Sequence, residues 1–81
     1  MAKTFQLTVA RVGQNFFDGE AASVTLPGAD GVMTILANHE AFVSPLGKGD
    51  AVVVSAAGES FPIAIEGGIV EVSKNQVTVL L

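Results

Sequence analysis

The side chains able to do chemistry are few. The single histidine, His39, is followed directly by Glu40. Neighbours point to opposite faces of a strand and stand about 100° apart on a helix, so the two do not form an acid–base pair. With one histidine and no cysteine in the chain, a mononuclear metal site would be short of ligands. Ser23, Ser44, Ser55, Ser60 and Ser73 would need a base beside them to act as nucleophiles, and none stands in a Gly-x-Ser-x-Gly elbow. A minimal enzyme would have to use His39 with Glu40 or Asp50. A histidine that is buried, caps its loop or contacts a partner is the simpler reading.

The carboxylates point the same way. Asp18, Glu20, Asp30, Asp50 and Glu59 lie in or beside expected turns, where a solvated side chain or a local turn bond accounts for them. Glu66 and Glu71 flank an apolar run, and Glu66 precedes Gly67-Gly68. That glycine pair predicts a sharp bend or bulge. It is no phosphate loop, because it feeds no helix and no Gly-Lys-Ser/Thr follows. No catalytic, metal-binding or cofactor-binding residue is expected.

The elements that position these residues are strands. Phe5, Leu7 and Val9 alternate with Thr4, Gln6 and Thr8, and Ala22, Val24 and Leu26 alternate with Ala21, Ser23 and Thr25. Phe61, Ile63 and Ile65, and then Val77 and Val79, repeat the pattern. A period of two is the signature of a half-buried strand. Ala51–Val54 and Ile69–Val72 are apolar almost throughout, which predicts strands covered on both faces. Turn formers punctuate the runs at Asp18-Gly19, Pro27-Gly28, Asp30-Gly31, Gly47-Lys48-Gly49-Asp50, Ala57-Gly58 and Lys74-Asn75. Pro62 lacks an amide hydrogen and predicts an edge strand or a bulge. Asn38–Phe42 is the best candidate for a short helical turn. The fold class is therefore all-β: one domain over residues 1–81, a small two-sheet β-sandwich of about eight to ten short strands with no substantial helix.

Composition agrees. The chain has 81 residues, 49% of them hydrophobic and only 15% charged, which excludes a disordered chain. So few charges predict an exposed apolar patch. Through it, weak self-association of the isolated domain is expected. The formal net charge is −4, and Lys3, Arg11, Lys48 and Lys74 are scattered singly, so no phosphate-binding stripe forms and nucleic acid is excluded as a partner. There is no Trp or Tyr to stack on bases. The apolar runs, about five residues at most, are far below the roughly 20 that span a bilayer. Polar residues interrupt the start, MAKTFQLTV, which argues against a secretory signal and for a protein that stays soluble where it is made.

Taken in order, the segments form a recognisable series. Phe5-Gln6-Leu7-Thr8-Val9 opens it and Phe17-Asp18-Gly19-Glu20-Ala21 follows. Ser23-Val24-Thr25-Leu26-Pro27-Gly28, Gly31, Ile35-Leu36 and His39 come next. Pro45-Leu46-Gly47-Lys48-Gly49, Gly67-Gly68-Ile69-Val70-Glu71-Val72 and Asn75-Gln76-Val77-Thr78-Val79-Leu80 complete it. The series resembles the N-terminal β-sandwich domain of the epsilon subunit of rotary F-type ATP synthases, called delta in mitochondria, over essentially the whole chain. The resemblance implies a non-catalytic rotor subunit of a proton- or sodium-translocating enzyme. Such a subunit joins gamma to the c ring in the central stalk, transmits torque, and is peripheral to the membrane through its complex. Its side would be the cytoplasmic face in bacteria and the matrix or stromal side in organelles. A free-standing β-sandwich module with changed partners is the alternative.

Residue by residue, the resemblance implies a c-ring contact at the turn Asp30-Gly31-Val32-Met33. Family members usually carry Glu-Leu-Gly or Glu-Phe-Gly where this chain has Val32-Met33-Thr34, so the contact loses its carboxylate and keeps an apolar part. It implies a gamma contact at Arg11, His39, Glu40 and Phe42. His39 matches the histidine of a Pro-Gly-His-Ala segment, with Ala37-Asn38 before it and Glu40 after. Glu66 stands where Ser commonly precedes Gly-Gly. The family's C-terminal helical hairpin, which can inhibit ATP hydrolysis and in some members bind ATP, has no counterpart in the sequence, which ends at Leu81. The expectation is an adaptor without that inhibitory element, in a naturally short chain or a shortened one.

Overall fold

The computed structural model describes residues 3–81. Alternating apolar and polar side chains form eight strands: β1 (Phe5–Arg11), β2 (Gln14–Gly28), β3 (Gly31–Leu36), β4 (Phe42–Leu46), β5 (Gly49–Ser55), β6 (Ser60–Ile65), β7 (Gly68–Ser73) and β8 (Gln76–Leu80). The described residues contain no helix.

β2 organises the architecture. Fifteen residues at about 3.3 Å each would stretch roughly 50 Å, yet the longest dimension of the molecule is 33 Å. The strand has to bend, and two bulges let it. Phe16 is an extra residue opposite Val9 and Ala10 of β1, and Ala22 is an extra residue opposite Val54 and Ser55 of β5. Up to Ala21 β2 pairs with β1; Ala21 also pairs with Ser55 of β5, and from Ser23 on β2 pairs with β3 and β5. One layer thus runs β2–β1–β8–β7–β4 and the other β3–β2–β5–β6, joined through β2 and through the Gly28–Leu46 pair. The expected all-β sandwich holds, with hydrogen bonding continuous between its layers.

Both layers feed one core. Phe5, Leu7, Val9, Val70, Val72, Val77 and Val79 come from the first layer, and Val24, Leu26, Ile35, Ala51, Val53 and Ile65 from the second. β8 lies between β7 and β1, pairing in parallel with β1, so the two ends of the chain close the first layer together. β6 pairs only with β5 and is an edge strand, as Pro62 predicts.

Four local expectations are corrected. The bulge at Ala22 resets the alternation, so Ala21 is buried with Val24 and Leu26 while Ala22 is half-buried. Asp18-Gly19 and Pro27-Gly28 lie within β2 and make no turn there; the turns flanking β2 are Val12-Gly13 and Ala29-Asp30. In β5, Val52 and Val54 are only half-buried, and in β7 Ile69 is 42% exposed, so neither strand is covered on both faces. Residues 38–42 form no helical turn: Asn38 has φ of 61°, outside the helical region, and Phe42 already belongs to β4.

Candidate functional site

The loop joining β3 to β4 carries His39 and Glu40, both exposed. Its path is set by Asn38, whose left-handed backbone an asparagine adopts more readily than most residues. The Asn38 amide donates to Asn75 Oδ1 at 2.7 Å, and Asn75 Nδ2 donates to the Thr4 carbonyl at 2.9 Å. At its far end the loop is anchored by Phe42, half-buried against the core. The His39 ring lies tilted over Phe42, with centroids 5.1 Å apart, and Nδ1 is 3.0 Å from the Glu40 carbonyl oxygen. The structure therefore assembles His39, Glu40 and Phe42 into one feature.

A second feature is the β2–β3 hairpin tip. The Ala29 amide donates to the Pro45 carbonyl at 3.2 Å and the Gly47 amide to the Pro27 carbonyl at 2.7 Å, tying the tip to the end of β4. Asp30 and Gly31 are exposed, and Val32 is 77% exposed. Met33, next in the strand, faces the other way and packs against the core. The tip therefore offers one apolar side chain outward, that of Val32.

Arg11 stands apart from His39. Leu46 pairs with Gly68, Ile69 with Leu80, and Leu80 with Ala10, which puts Arg11 at the end of the first layer where β4 finishes. His39 lies at the end where β4 begins. The Arg11 guanidinium sits 5.7 Å from the Phe16 ring centroid and donates to Gln14 Oε1 at 3.2 Å. An open cleft of about 310 Å³ lies here, lined also by Glu66, Gly67 and Leu81.

Between these two ends runs an apolar stripe; the composition predicts an exposed apolar patch, but sequence reasoning did not place it here. The cross-strand register sets Pro45 beside Ile69 and Ile69 beside Leu80, all exposed on the outer face of the first layer, with Val43 one pair further along β4. Val43 is 60% and Leu80 51% exposed. The signal was present in Glu71: its charge marks the outer face of β7, and Ile69, two residues earlier, shares that face.

The remaining polar groups are engaged locally or face solvent. Asp18 accepts from Gln6 Nε2 at 3.1 Å, and Glu20 from Thr4 Oγ1 at 2.9 Å. Among the described residues there is no buried polar side chain and no group of three or more His, Asp or Glu arranged to hold a metal ion. Nor is any helix of the described residues long and apolar enough to cross a membrane. What the arrangement supplies is surface: a pinned loop, a hairpin tip and an apolar outer stripe.

Known proteins resemble this chain in sequence and in fold. The chain is 35% identical over 80 residues to the ATP synthase epsilon chain of Clostridium novyi, covering 99% of this chain and 61% of that protein. It is 40% identical to the epsilon chain of Bordetella petrii, over 95% of this chain and 55% of that one. To that of Desulfitobacterium hafniense it is 41% identical, over 99% and 60%. The chain thus spans between 55% and 61% of the length of these curated relatives. Its fold superposes with a TM-score of 0.88 and 26% identity on a chain of the Euglena gracilis mitochondrial ATP synthase OSCP/F1/c-ring assembly, covering 95% of this chain and 49% of that one. A chain of the Tetrahymena thermophila mitochondrial ATP synthase central stalk/c-ring shares the fold at a TM-score of 0.77 and 18% identity, covering 96% of this chain and 63% of that one. The family model described as the ATP synthase delta/epsilon chain β-sandwich domain matches residues 4–81, and the chain belongs to that family.

Proposed function

We propose that this domain is a non-catalytic adaptor in the central stalk of an F-type ATP synthase, holding the gamma subunit on one side and the c ring on another and carrying torque between them. The observation that carries the proposal is the placement of two exposed features at opposite ends of one rigid sandwich. The 37–41 loop with His39 and Glu40 stands where β4 begins at Phe42; the Asp30–Met33 hairpin tip is tied to where β4 ends. A torque-bearing adaptor needs two separated contacts joined by a stiff body, and a close-packed sheet core supplies that stiffness.

In this reading gamma meets the His39 loop and continues along the outer stripe of Val43, Pro45, Ile69 and Leu80, with Arg11 beyond its far end. An apolar strip flanked by polar residues is the composition of a stable protein interface. The c ring meets the hairpin tip at Asp30, Gly31 and Val32, where Val32 gives the apolar contact. Membrane association then comes only through the complex.

Size-exclusion chromatography of this chain mixed with the gamma subunit from the same source tests the reading. Co-elution at one to one is expected, and Ile69→Lys should reduce it. Separate elution of two folded proteins at micromolar concentration would count against the adaptor and favour a module with changed partners.

A further inference from the structure

We propose that Asn75 is a positioning residue: its side-chain amide is the clip that fixes the 37–41 loop in the shape it presents to its partner. Asn75 belongs to the tight turn between β7 and β8, remote in sequence from the loop, yet it makes both ends of the connection. Its Oδ1 accepts the Asn38 amide at 2.7 Å, and its Nδ2 donates to the Thr4 carbonyl at 2.9 Å. Asn75's own carbonyl accepts the Gln6 amide at 3.2 Å, so the turn is itself fastened to β1 by backbone. One planar amide thus ties the β3–β4 loop to the start of β1 through a fixed point.

The chemistry requires an amide at this position. Asn38 is in the left-handed region with φ of 61°, and no strand pairs with the loop it lies in. Fastening it to the start of β1 takes an acceptor for its amide and a donor for the Thr4 carbonyl. A carboxylate supplies only the first and an amine only the second, whereas asparagine supplies both. Asn75 also has φ of 59° and Lys74 φ of 50°, the pair of positive values that a two-residue hairpin turn demands. The residue therefore satisfies the turn and the clip together. With the clip made, the His39–Phe42 contact forms on a loop held at Asn38, the residue before His39. Without it, the loop samples other paths, and apparent affinity for a partner falls in proportion to the competent fraction.

The role toward gamma rests on the adaptor reading; the clip itself does not. Asn75→Gly is the informative variant, because glycine keeps the positive φ and the backbone carbonyl while removing only the amide. Asn75→Asp keeps the acceptor for Asn38 and loses the donor to Thr4. Amide hydrogen exchange followed by NMR on the 81-residue chain reads the clip directly. The expected result is that the Asn38 amide exchanges about 10-fold faster in Asn75→Gly, near the upper end of what one hydrogen bond supports, and keeps most of its protection in Asn75→Asp. The Gln6 amide, which donates to the backbone carbonyl, stays as protected as in the parent and shows that the turn is intact. Unchanged Asn38 exchange in Asn75→Gly would overturn the clip. Binding to the gamma subunit, measured by calorimetry, should then weaken about 3- to 10-fold in Asn75→Gly. Faster exchange with undiminished gamma binding would overturn the positioning role. If the parent chain itself does not bind gamma, it is the adaptor reading that fails, and the exchange result alone decides the clip.

Discussion

Val32 and Met33 are neighbours in β3 whose side chains lie on opposite faces, one exposed and one against the core. Met33 packs against the core and sits opposite Leu26, so Met33→Ala should destabilise the domain by about 1–3 kcal/mol, less than a fully buried methionine would cost. Val32 is 77% exposed, so Val32→Asp should move stability by no more than about 0.5 kcal/mol. Urea unfolding of the two variants checks both. If the hairpin tip meets the c ring, Val32→Asp should nonetheless weaken capture of the chain by detergent-solubilised c ring, which Met33→Ala affects only through stability. Gly68 gives a third case. It has φ of 142°, and a Cβ there would collide with the Leu80 carbonyl oxygen. Gly68→Ala therefore has to displace the start of β7 from β8, at a cost of about 1–3 kcal/mol in the same assay. The bend at Gly67-Gly68 was legible from the sequence, because adjacent glycines inside a β pattern have few other uses. The pairing of Asn38 with Asn75 was not legible, since nothing local links residues so far apart in the chain.

Among the elements, β2 shows what periodicity can and cannot convey. Inward positions in β1, β8 and most of β6 follow from strict alternation, because each strand stays on one side of the core. In β2 the alternation changes phase at Ala22, and a window of apolar residues containing two adjacent alanines does not say where the phase changes. The second clue was geometric: a strand of this length cannot stay straight in so small a body. Deleting Ala22 separates the two effects. The deletion leaves Ala21 and Val24 on the inward face of a regular strand, so the hydrophobic pattern survives, but it removes the extra residue at which β2 turns from β1 toward β5. If the bulge is what lets one strand serve both layers, the variant should lose several kcal/mol, about what breaking register in a half-buried strand entails, and its unfolding should become less cooperative. A deletion variant with the parent's urea midpoint would show that the bend is imposed by the rest of the fold. The outer faces of β5 and β7 make a related point. Their continuous apolar runs suggested burial on both sides, while the fold leaves Ile69 exposed and places it beside Pro45 and Leu80. Such a run is ambiguous between buried core and interface until the number of covering layers is known.

For the molecule as a whole, the parallel pairing of β1 with β8 makes the two ends of the sequence one structural unit. β8 is an interior strand of the first layer, and its Val77 and Val79 are buried in the core shared by both layers. The Leu81 amide extends the connection by donating to the Ala10 carbonyl at 2.9 Å. A terminal strand at a sheet edge can fray while the rest persists; an interior one leaves two unpaired edges and an open core when it goes. A chain ending at Asn75 is therefore expected to be unfolded, with a collapsed amide spectrum and no cooperative urea transition, and not a slightly weakened sandwich. The same topology governs the kinetics. The first and last strands must meet before the first layer exists, and loop closure over nearly the whole chain comes before its contacts can compensate. Folding should fall in the milliseconds-to-seconds range of non-local β proteins, slower than a helical bundle of similar size. Stopped-flow refolding from urea, with a phenylalanine-to-tryptophan reporter at Phe61 on the edge strand, measures this. A microsecond phase carrying the full amplitude would show that closing β1 onto β8 is not slow, and would overturn the expectation.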